Sequence, residues 1–148
     1  MEQRYTKKVL ELFISTKEQE NRIQQNILYI DSLGIKNDKF YGKDTNRAIL
    51  ITSIDSYKLI KRHHIDIQYG LLGENILVDI DTQIYKLNPK DRFFIGDIEF
   101  EITQNCTICN HLSAIDKELP KLLKKDRGIF CRALKDGIIK KGDNIVLK

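Results

Sequence analysis

The stretch from residue 93 to residue 103 constrains the fold of this chain most, because it has the pattern of a β-hairpin. Residues 98–103 read Ile-Glu-Phe-Glu-Ile-Thr, so apolar and polar side chains alternate with the period of a half-buried strand. The apolar run Phe93-Phe-Ile95 comes before it, and Gly96-Asp97 forms a turn signal between the two. A chain with this pattern is expected to build its core from antiparallel strands.

Other short apolar runs, separated by polar or glycine-containing segments, indicate further strands. They are residues 8–16, 27–31, 47–52, 70–78, 129–134, 138–139 and 144–147. The dipeptide Asp136-Gly137 is a strong two-residue turn signal, so the runs on either side of it are predicted to pair as a second hairpin. The polar segment 17–26 is interpreted as a loop or a short exposed helix, and segments 35–46 and 79–86 as surface connections.

Two short helices are predicted between the strands. Ser53 is a suitable N-cap for a helix that ends near residues 62–64. A second helix is predicted to begin with a capping-box-like pair, Ser113 and Asp116, with Pro120 in its first turn. Seven or eight short strands and two short helices indicate a mostly β fold, either a small barrel or a sandwich.

The overall composition is that of a globular protein. The 148 residues are 41% hydrophobic and 31% charged, and one domain spanning residues 1–148 is the natural expectation. No apolar run is long enough to span a membrane, and the first residues lack the apolar centre of a signal peptide. Three cysteines, two of them too close for an ordinary structural bridge, favour reduced thiols. We therefore expect a cytoplasmic protein without membrane association.

Positive charge is concentrated at the C-terminal end of the chain. From Lys117 onward there are 10 Lys and Arg residues against 4 Asp and Glu residues, whereas the net charge of the whole chain is +4. Such a segment favours an anionic partner, or it forms a solvated surface. Nucleic acid is not an expected partner, because the aromatic residues of this segment do not interleave with its basic residues as a stacking platform requires.

The most reactive side chains lie directly after the predicted hairpin. Cys106 and Cys109 form a Cys-x-x-Cys motif, and His111 follows two residues later. In a structural zinc site these three residues would be three of the four ligands, with Cys131 or another histidine as the fourth. The absence of a second Cys-x-x-Cys or a His-x-x-x-His motif counts against such a site. A thioredoxin-like dithiol fits less well, since that motif belongs in a βαβ unit. His63 and His64 are adjacent near a helix end, so they are poor chelators and interact better with the helix dipole.

Three further roles remain open for the cysteine pair: a thiolate nucleophile, a persulfide carrier, or a soft ligand for a transition metal with open positions. Incidental burial of both cysteines is the alternative without chemistry. Cys131, which lies inside a predicted strand, is interpreted as a buried structural residue.

An ordered set of short motifs resembles the MOSC domain family. The set begins with a Gly-x-x-x-Asp loop and a following strand, and it ends with glycine-punctuated terminal strands. Its members are Gly34–Asp38, Arg47–Leu50, Gly73-Glu-Asn75, Ile95-Gly-Asp97, Cys106–Leu112, Arg127–Gly137 and Lys141-Gly-Asp143. The resemblance covers most of the chain in the family's order. It implies a small closed or partly closed β-barrel, related to the pyruvate kinase β-barrel domain, with two or three short helices.

The resemblance also implies a chemistry. The essential cysteine of the family falls on Cys109, with Cys106 as an additional thiol, so both are candidate catalytic residues and Cys109 is the candidate metal ligand. Family members handle sulfur as a persulfide or bind the molybdenum cofactor (molybdopterin), and others reduce N-hydroxylated compounds. The chain would accordingly be a sulfur transferase or a molybdenum-dependent reductase component, and the resemblance does not choose between these two.

Five residues are candidates for holding the cofactor: Asp38, Lys39, Arg47, Glu74 and Asn75. The basic members of this set suit the cofactor phosphate. Expected partners are a cysteine desulfurase, a molybdoenzyme or an electron-transfer protein. Pyridoxal phosphate is expected only on a separate sulfur-donor partner.

Three positions depart from the family pattern. Ile108 replaces the usual proline before the essential cysteine, Asn37 replaces the loop glycine, and Phe40 replaces a histidine. The alternative function is a non-catalytic binding module stabilised by zinc on Cys106, Cys109 and His111.

Overall fold

The structure is a computed structural model that describes residues 5–19, 22–106 and 112–148. Its strands are β1 (Val9–Ile14), β2 (Ile23–Gln25), β3 (Ile27–Asp31), β4 (Gly34–Ile35), β5 (Ile49–Ser53), β6 (Ile76–Val78), β7 (Arg92–Ile95), β8 (Ile98–Asn105), β9 (Ile129–Ala133), β10 (Gly137–Lys140) and β11 (Ile145–Leu147). The α-helices are α1 (Ile54–Arg62), α2 (Leu112–Ile115) and α3 (Leu119–Leu122), and 3-10 helices cover Thr45–Arg47 and Thr82–Lys86. Within these described ranges no helix is long and apolar enough to cross a membrane.

Eight strands form one curled sheet in the order β11-β7-β8-β9-β5-β6-β1-β2. Strands β5 and β6 run parallel, and the other neighbours in this sheet are antiparallel. The sheet curls until the start of β1 meets the start of β11, where Lys8 and Asn144 form an antiparallel bridge. A second sheet has the order β10-β3-β4. The prediction of a mostly β, partly closed barrel with a few short helices is confirmed.

The hairpin predicted from residues 93–103 is present, with Ile95 opposite Ile98 across the turn. Gly96 has a φ of 55°, a conformation that glycine adopts without strain. Phe93 and Phe100 face each other across the hairpin, fully buried, with ring centroids 5.4 Å apart. Each buried phenyl ring stabilises the fold by roughly 1.5–3 kcal/mol.

The second predicted hairpin, at Asp136-Gly137, is wrong. β9 pairs with β5 and with β8, so both of its edges are occupied before β10 begins. β10 instead pairs with β3 in the smaller sheet, where Ile139 lies opposite Leu28 in the core. The turn signal is local, but the partner of β10 is decided by which strand edge remains available.

Three other predicted segments also differ. Segment 17–26 contains β2 as well as a loop, and segment 79–86 contains a 3-10 helix that buries Ile84 and Tyr85. The single helix predicted after the cysteine motif is divided into α2 and α3. Pro120 lies in the first turn of α3, as predicted, and it has no N–H with which to continue a helix that began at residue 112. The predicted N-cap of α1 is confirmed, because the Ser53 side chain accepts a hydrogen bond of 3.0 Å from the Asp55 N–H.

Candidate functional site

A cavity with a volume of about 910 Å3 lies where several strand ends meet. The ends of β1 and β8, the start of β9 and the loops before β5 and β6 all contribute to its walls. Five of its lining side chains are cationic: Arg22, Lys39, Lys43, Arg47 and Arg127. Its other lining residues include Ser15, Phe40, Asp44, Leu50, Gly70, Gly73, Asn75, Cys106 and Phe130.

The cavity is strongly basic. Among its described lining residues, Asp44 is the one carboxylate, and it accepts a 3.0 Å hydrogen bond from the Asn46 N–H as the cap of a 3-10 helix. The Arg47 guanidinium lies 5.5 Å from the centroid of the Phe130 ring, which holds it against the cavity wall. Five cations converging on a concave site favour an anionic ligand.

Cys106 lies in the wall of this cavity, directly after β8. It is buried, packs with Leu50 and Phe130, and its backbone N–H donates a 3.1 Å hydrogen bond to the Gly128 carbonyl. Cys131 is different, because it is completely buried in the main core and burial raises the pKa of its thiol. The interpretation of Cys131 as a structural residue is confirmed.

Cys109 and His111 lie outside the described residues, so the zinc set and the essential cysteine remain predictions. In the ranges that the structure does describe, no group of three or more His, Cys, Asp and Glu side chains is arranged to hold a metal ion.

Asp38 is a buried anchor behind the cavity. Its Oδ1 accepts hydrogen bonds from the Ser15 N–H (2.7 Å) and the Ser15 hydroxyl (3.1 Å), and its Oδ2 accepts one from the Phe40 N–H (3.0 Å). Two carboxylate oxygens thus bind the end of β1 to the loop that carries Lys39 and Phe40. The position fixes that loop and does not line the cavity.

Asn75 joins three elements. Its side-chain oxygen accepts a 3.0 Å bond from the Leu50 N–H, and its side-chain nitrogen donates to the Phe13 carbonyl (3.2 Å) and to Asp38 Oδ1 (3.4 Å). The amide therefore connects β1, β5 and the Asp38 loop, while the residue also lines the cavity. These hydrogen bonds explain why the Asn75 side chain is buried without any ligand contact.

Glu74 is completely buried and lies behind the cavity wall. Tyr57 donates its hydroxyl proton to the carboxylate, with distances of 2.7 and 2.9 Å to the two oxygens, and the Gly70 N–H donates at 3.0 Å. Burial raises the pKa of Glu74, although the hydrogen bond from Tyr57 opposes this shift. The pair holds the 70–73 loop, of which Gly70 and Gly73 line the cavity.

Three cations of the cavity, Arg22, Lys43 and Arg127, were not among the candidates from the sequence. Arg127 is buried, and its Nε–H donates a 3.1 Å hydrogen bond to the Leu72 carbonyl. Arg22 donates to the Ser15 hydroxyl at 3.3 Å, and burial lowers its pKa while Asp38 and Glu74 oppose that shift. Arg22 belongs to a segment without strand or motif pattern, so no sequence signal marks it. Arg127 is the first residue of the Arg127–Gly137 motif of the family resemblance, so the sequence does mark this position.

The structure thus divides the predicted site residues into three groups. Lys39, Arg47, Asn75 and Cys106 line one cavity, Asp38 and Glu74 lie buried behind it, and Cys109 is outside the described residues.

Together, the curled barrel, the basic cavity and the thiol in its wall define a small β-barrel protein suited to an anionic ligand. The sequence profile of the MOSC domain matches residues 37–146, well over half of the chain, and the chain belongs to that family. No curated protein matches the sequence.

Solved structures have the same fold. The YuaD protein from Bacillus subtilis superposes with a TM-score of 0.77 at 19% identity, covering 93% of each chain. YiiM from Escherichia coli has a TM-score of 0.70 at 18% identity, covering 95% of this chain and 69% of that one. YiiM from Geobacillus stearothermophilus has a TM-score of 0.67 at 16% identity, covering 98% and 74%. At these identities the likeness establishes the fold alone.

Proposed function

We propose that this protein binds a phosphorylated cofactor of the molybdopterin type in the basic cavity and presents it to the Cys106–Cys109 thiols. The observation that carries the proposal is that five cationic side chains and the Cys106 thiol line one cavity of about 910 Å3. A ligand that carries both a phosphate and a soft metal matches this combination of cations and thiol.

The residues present fit such a group. Arg and Lys side chains are suited to phosphate, and Arg22, Lys39, Arg47 and Arg127 would hold it. Thiolates are suited to soft transition metals, and the cavity size falls in the range of cofactor sites, about 300–1,000 Å3. When bound, the cofactor would supply the metal on which redox or sulfur chemistry takes place.

The residues of this chain would bind the cofactor and orient it. The cations fix the anionic end of the ligand, and the Asp38 and Asn75 hydrogen bonds hold the wall on which Lys39 lies. Cys106 is placed in the same wall, and Cys109 follows it by three residues. We propose Cys109 as the persulfide-bearing residue or metal ligand, with Cys106 as the auxiliary thiol. A cysteine desulfurase, a molybdoenzyme or an electron donor would be the partner.

Mass spectrometry of the intact protein, produced in cells that make the cofactor, tests this proposal. We expect a bound pterin, or a gain of one sulfur atom, that Cys109→Ser abolishes without a large change in melting temperature. Arg47→Gln should reduce pterin retention about tenfold, because it removes a charge-assisted contact to phosphate. Arg132→Gln is the matched control, since Arg132 is an exposed arginine on β9 that pairs with Glu101 away from the cavity.

Two results would contradict the proposal. One is a protein that carries neither pterin nor sulfur adduct. The other is stoichiometric zinc that resists mild chelation and is lost together with the fold in Cys109→Ser, which would establish the zinc-stabilised binding module instead.

A further inference from the structure

Phe40 is an aromatic side chain held in the open at the basic cavity. The residue is 41% exposed although its ring lines the cavity. A phenyl ring that is this exposed lacks the stabilisation that burial would provide. The contacts of its loop show whether the ring is exposed on a loose segment or on a rigid one.

The turn that carries Phe40 is pinned on both sides. The Phe40 N–H donates to the Asp38 carboxylate (3.0 Å), the Lys39 N–H to the Ser15 carbonyl (2.8 Å), and the Lys43 N–H to the Phe40 carbonyl (3.1 Å). Because Asp38 is itself buried and bonded to β1, the ring is presented by a fixed framework. A ring ordered in advance costs little entropy when a ligand stacks on it.

The cations around the ring complete the subsite. Lys39 Nζ lies 5.1 Å from the Phe40 centroid, and Lys43 lines the same cavity three residues later. An exposed aromatic ring in a cavity with basic side chains is suited to a planar heterocycle joined to a phosphate, because the ring stacks on the heterocycle and the cations neutralise the phosphate.

We infer that Phe40, Lys39 and Lys43 form a subsite for a nucleoside monophosphate at this end of the cavity. The inference rests on the proposed function for the identity of the cavity as the ligand site. The same chemistry is supplied by a free nucleotide or by the nucleotide end of a larger cofactor.

Isothermal titration of the purified protein with 5′-GMP, guanosine and inorganic phosphate tests the subsite. We expect 5′-GMP to bind more tightly than either fragment. Phe40→Ala should weaken 5′-GMP about tenfold and Phe40→Tyr by no more than about twofold, because only the first removes the stacking surface. Tyr29→Ala is the control, since Tyr29 is 50% exposed and is not a lining residue.

Lys43→Gln separates the phosphate contact from the stacking contact. It should weaken 5′-GMP but leave guanosine unchanged, whereas Lys36→Gln, at an exposed position outside the lining, should change neither. Nucleotide released together with a pterin when the purified protein is denatured would identify a cofactor as the source. Binding of added 5′-GMP to protein that releases none would identify the free nucleotide.

Absence of 5′-GMP binding, 5′-GMP binding no tighter than phosphate, or an unchanged dissociation constant in Phe40→Ala would each overturn the subsite. These failures are distinguishable from failure of the proposed function. A protein that retains pterin but shows any of them loses the subsite alone. A protein that binds 5′-GMP through Phe40 but carries neither pterin nor sulfur loses the proposed function alone.

Discussion

At the scale of single residues, the sequence predicted that Glu74 and Asn75 would hold the cofactor, and the structure gives both of them internal partners. The side chains of Glu74 and Asn75 are both engaged inside the protein, with Tyr57 and Gly70 for the first and with Leu50, Phe13 and Asp38 for the second. Glu74 supports the cavity wall from behind, whereas Asn75 is part of the wall itself. A direct contact between Glu74 and a ligand would require this buried set of bonds to rearrange.

Glu74 also predicts a pH dependence of stability. Its ordinary pKa is 4.5, and burial raises the pKa in the folded state. Between these two values the folded protein binds more protons than the unfolded chain, so this residue's contribution to stability is complete below pH 4.5 and falls as the pH rises through the folded pKa. Glu74→Gln removes the titration. We expect the free energy of unfolding of Glu74→Gln, relative to wild type, to increase between pH 4.5 and pH 8.

Urea unfolding of both proteins at several pH values measures this difference, and the comparison cancels the titration of every other group. Glu99→Gln serves as a control with a different pH window, because the hydrogen bond from Lys148 lowers the pKa of that half-buried carboxylate. Its relative stability should change mainly below pH 4.5 and stay nearly constant from there to pH 8. A relative stability of Glu74→Gln that is constant with pH would show that Glu74 has the same pKa in the folded and unfolded states.

At the scale of elements, three hydroxyl groups fix helix α1 against the barrel. The Ser53 N–H donates to the Tyr85 hydroxyl oxygen at 2.6 Å, and the Ser53 hydroxyl donates to the Ile80 carbonyl at 2.6 Å. Ser56, one turn further along, lies 2.8 Å from the same Tyr85 oxygen and donates to the Asp126 carbonyl. Since Arg127 follows Asp126, this cluster connects the start of α1 to a cation of the cavity.

Removing one oxygen atom tests the cluster. Tyr85→Phe leaves the buried Ser53 N–H without its acceptor, and we expect a loss of about 1–3 kcal/mol in the free energy of unfolding. The same change at exposed Tyr29 should cost less than about 0.5 kcal/mol. Urea denaturation gives both values. Equal effects of the two substitutions would mean that water replaces the Tyr85 hydroxyl at no cost.

Also at this scale, the sequence predicts those elements whose formation depends on neighbouring residues. The 93–103 hairpin and the Ser53 cap follow from periodicity and from residue types within a few positions of each other. β2 was missed because three residues next to β1 have no periodicity to detect, and the helical turn at 82–86 was missed because its two buried side chains stand alone in a polar segment.

At the scale of the whole molecule, local sequence pattern does not predict which distant segments pair. β10 joins β3 because β9 has no edge available, and the sheet closes because the two ends of the chain meet at Lys8 and Asn144. The cavity has the same origin. Lys39 and Arg47 were predicted from a family motif, but Arg22 and Arg127 reach the cavity only through the curl of the sheet.

Closure of the barrel between β1 and β11 predicts slow hydrogen exchange at the amides that join the two strands. The Val9 N–H donates to the Asp143 carbonyl (2.9 Å) and the Ile145 N–H to the Lys7 carbonyl (2.8 Å), although five strands separate β1 from β11 in the sheet. In hydrogen exchange followed by NMR, we expect both amides to exchange as slowly as those at the centre of β5. The amides of the edge strand β2 should exchange much faster.

Ile145→Ala, at a buried position, should cost about 2–4 kcal/mol and accelerate exchange at Val9 as well as in β11. Val146→Ala, at a position that is 57% exposed, should do neither. Fast exchange at Val9 in the wild type would mean that the seam between β1 and β11 is open in solution, and the walls that carry the cavity would then belong to a sheet with two independent edges.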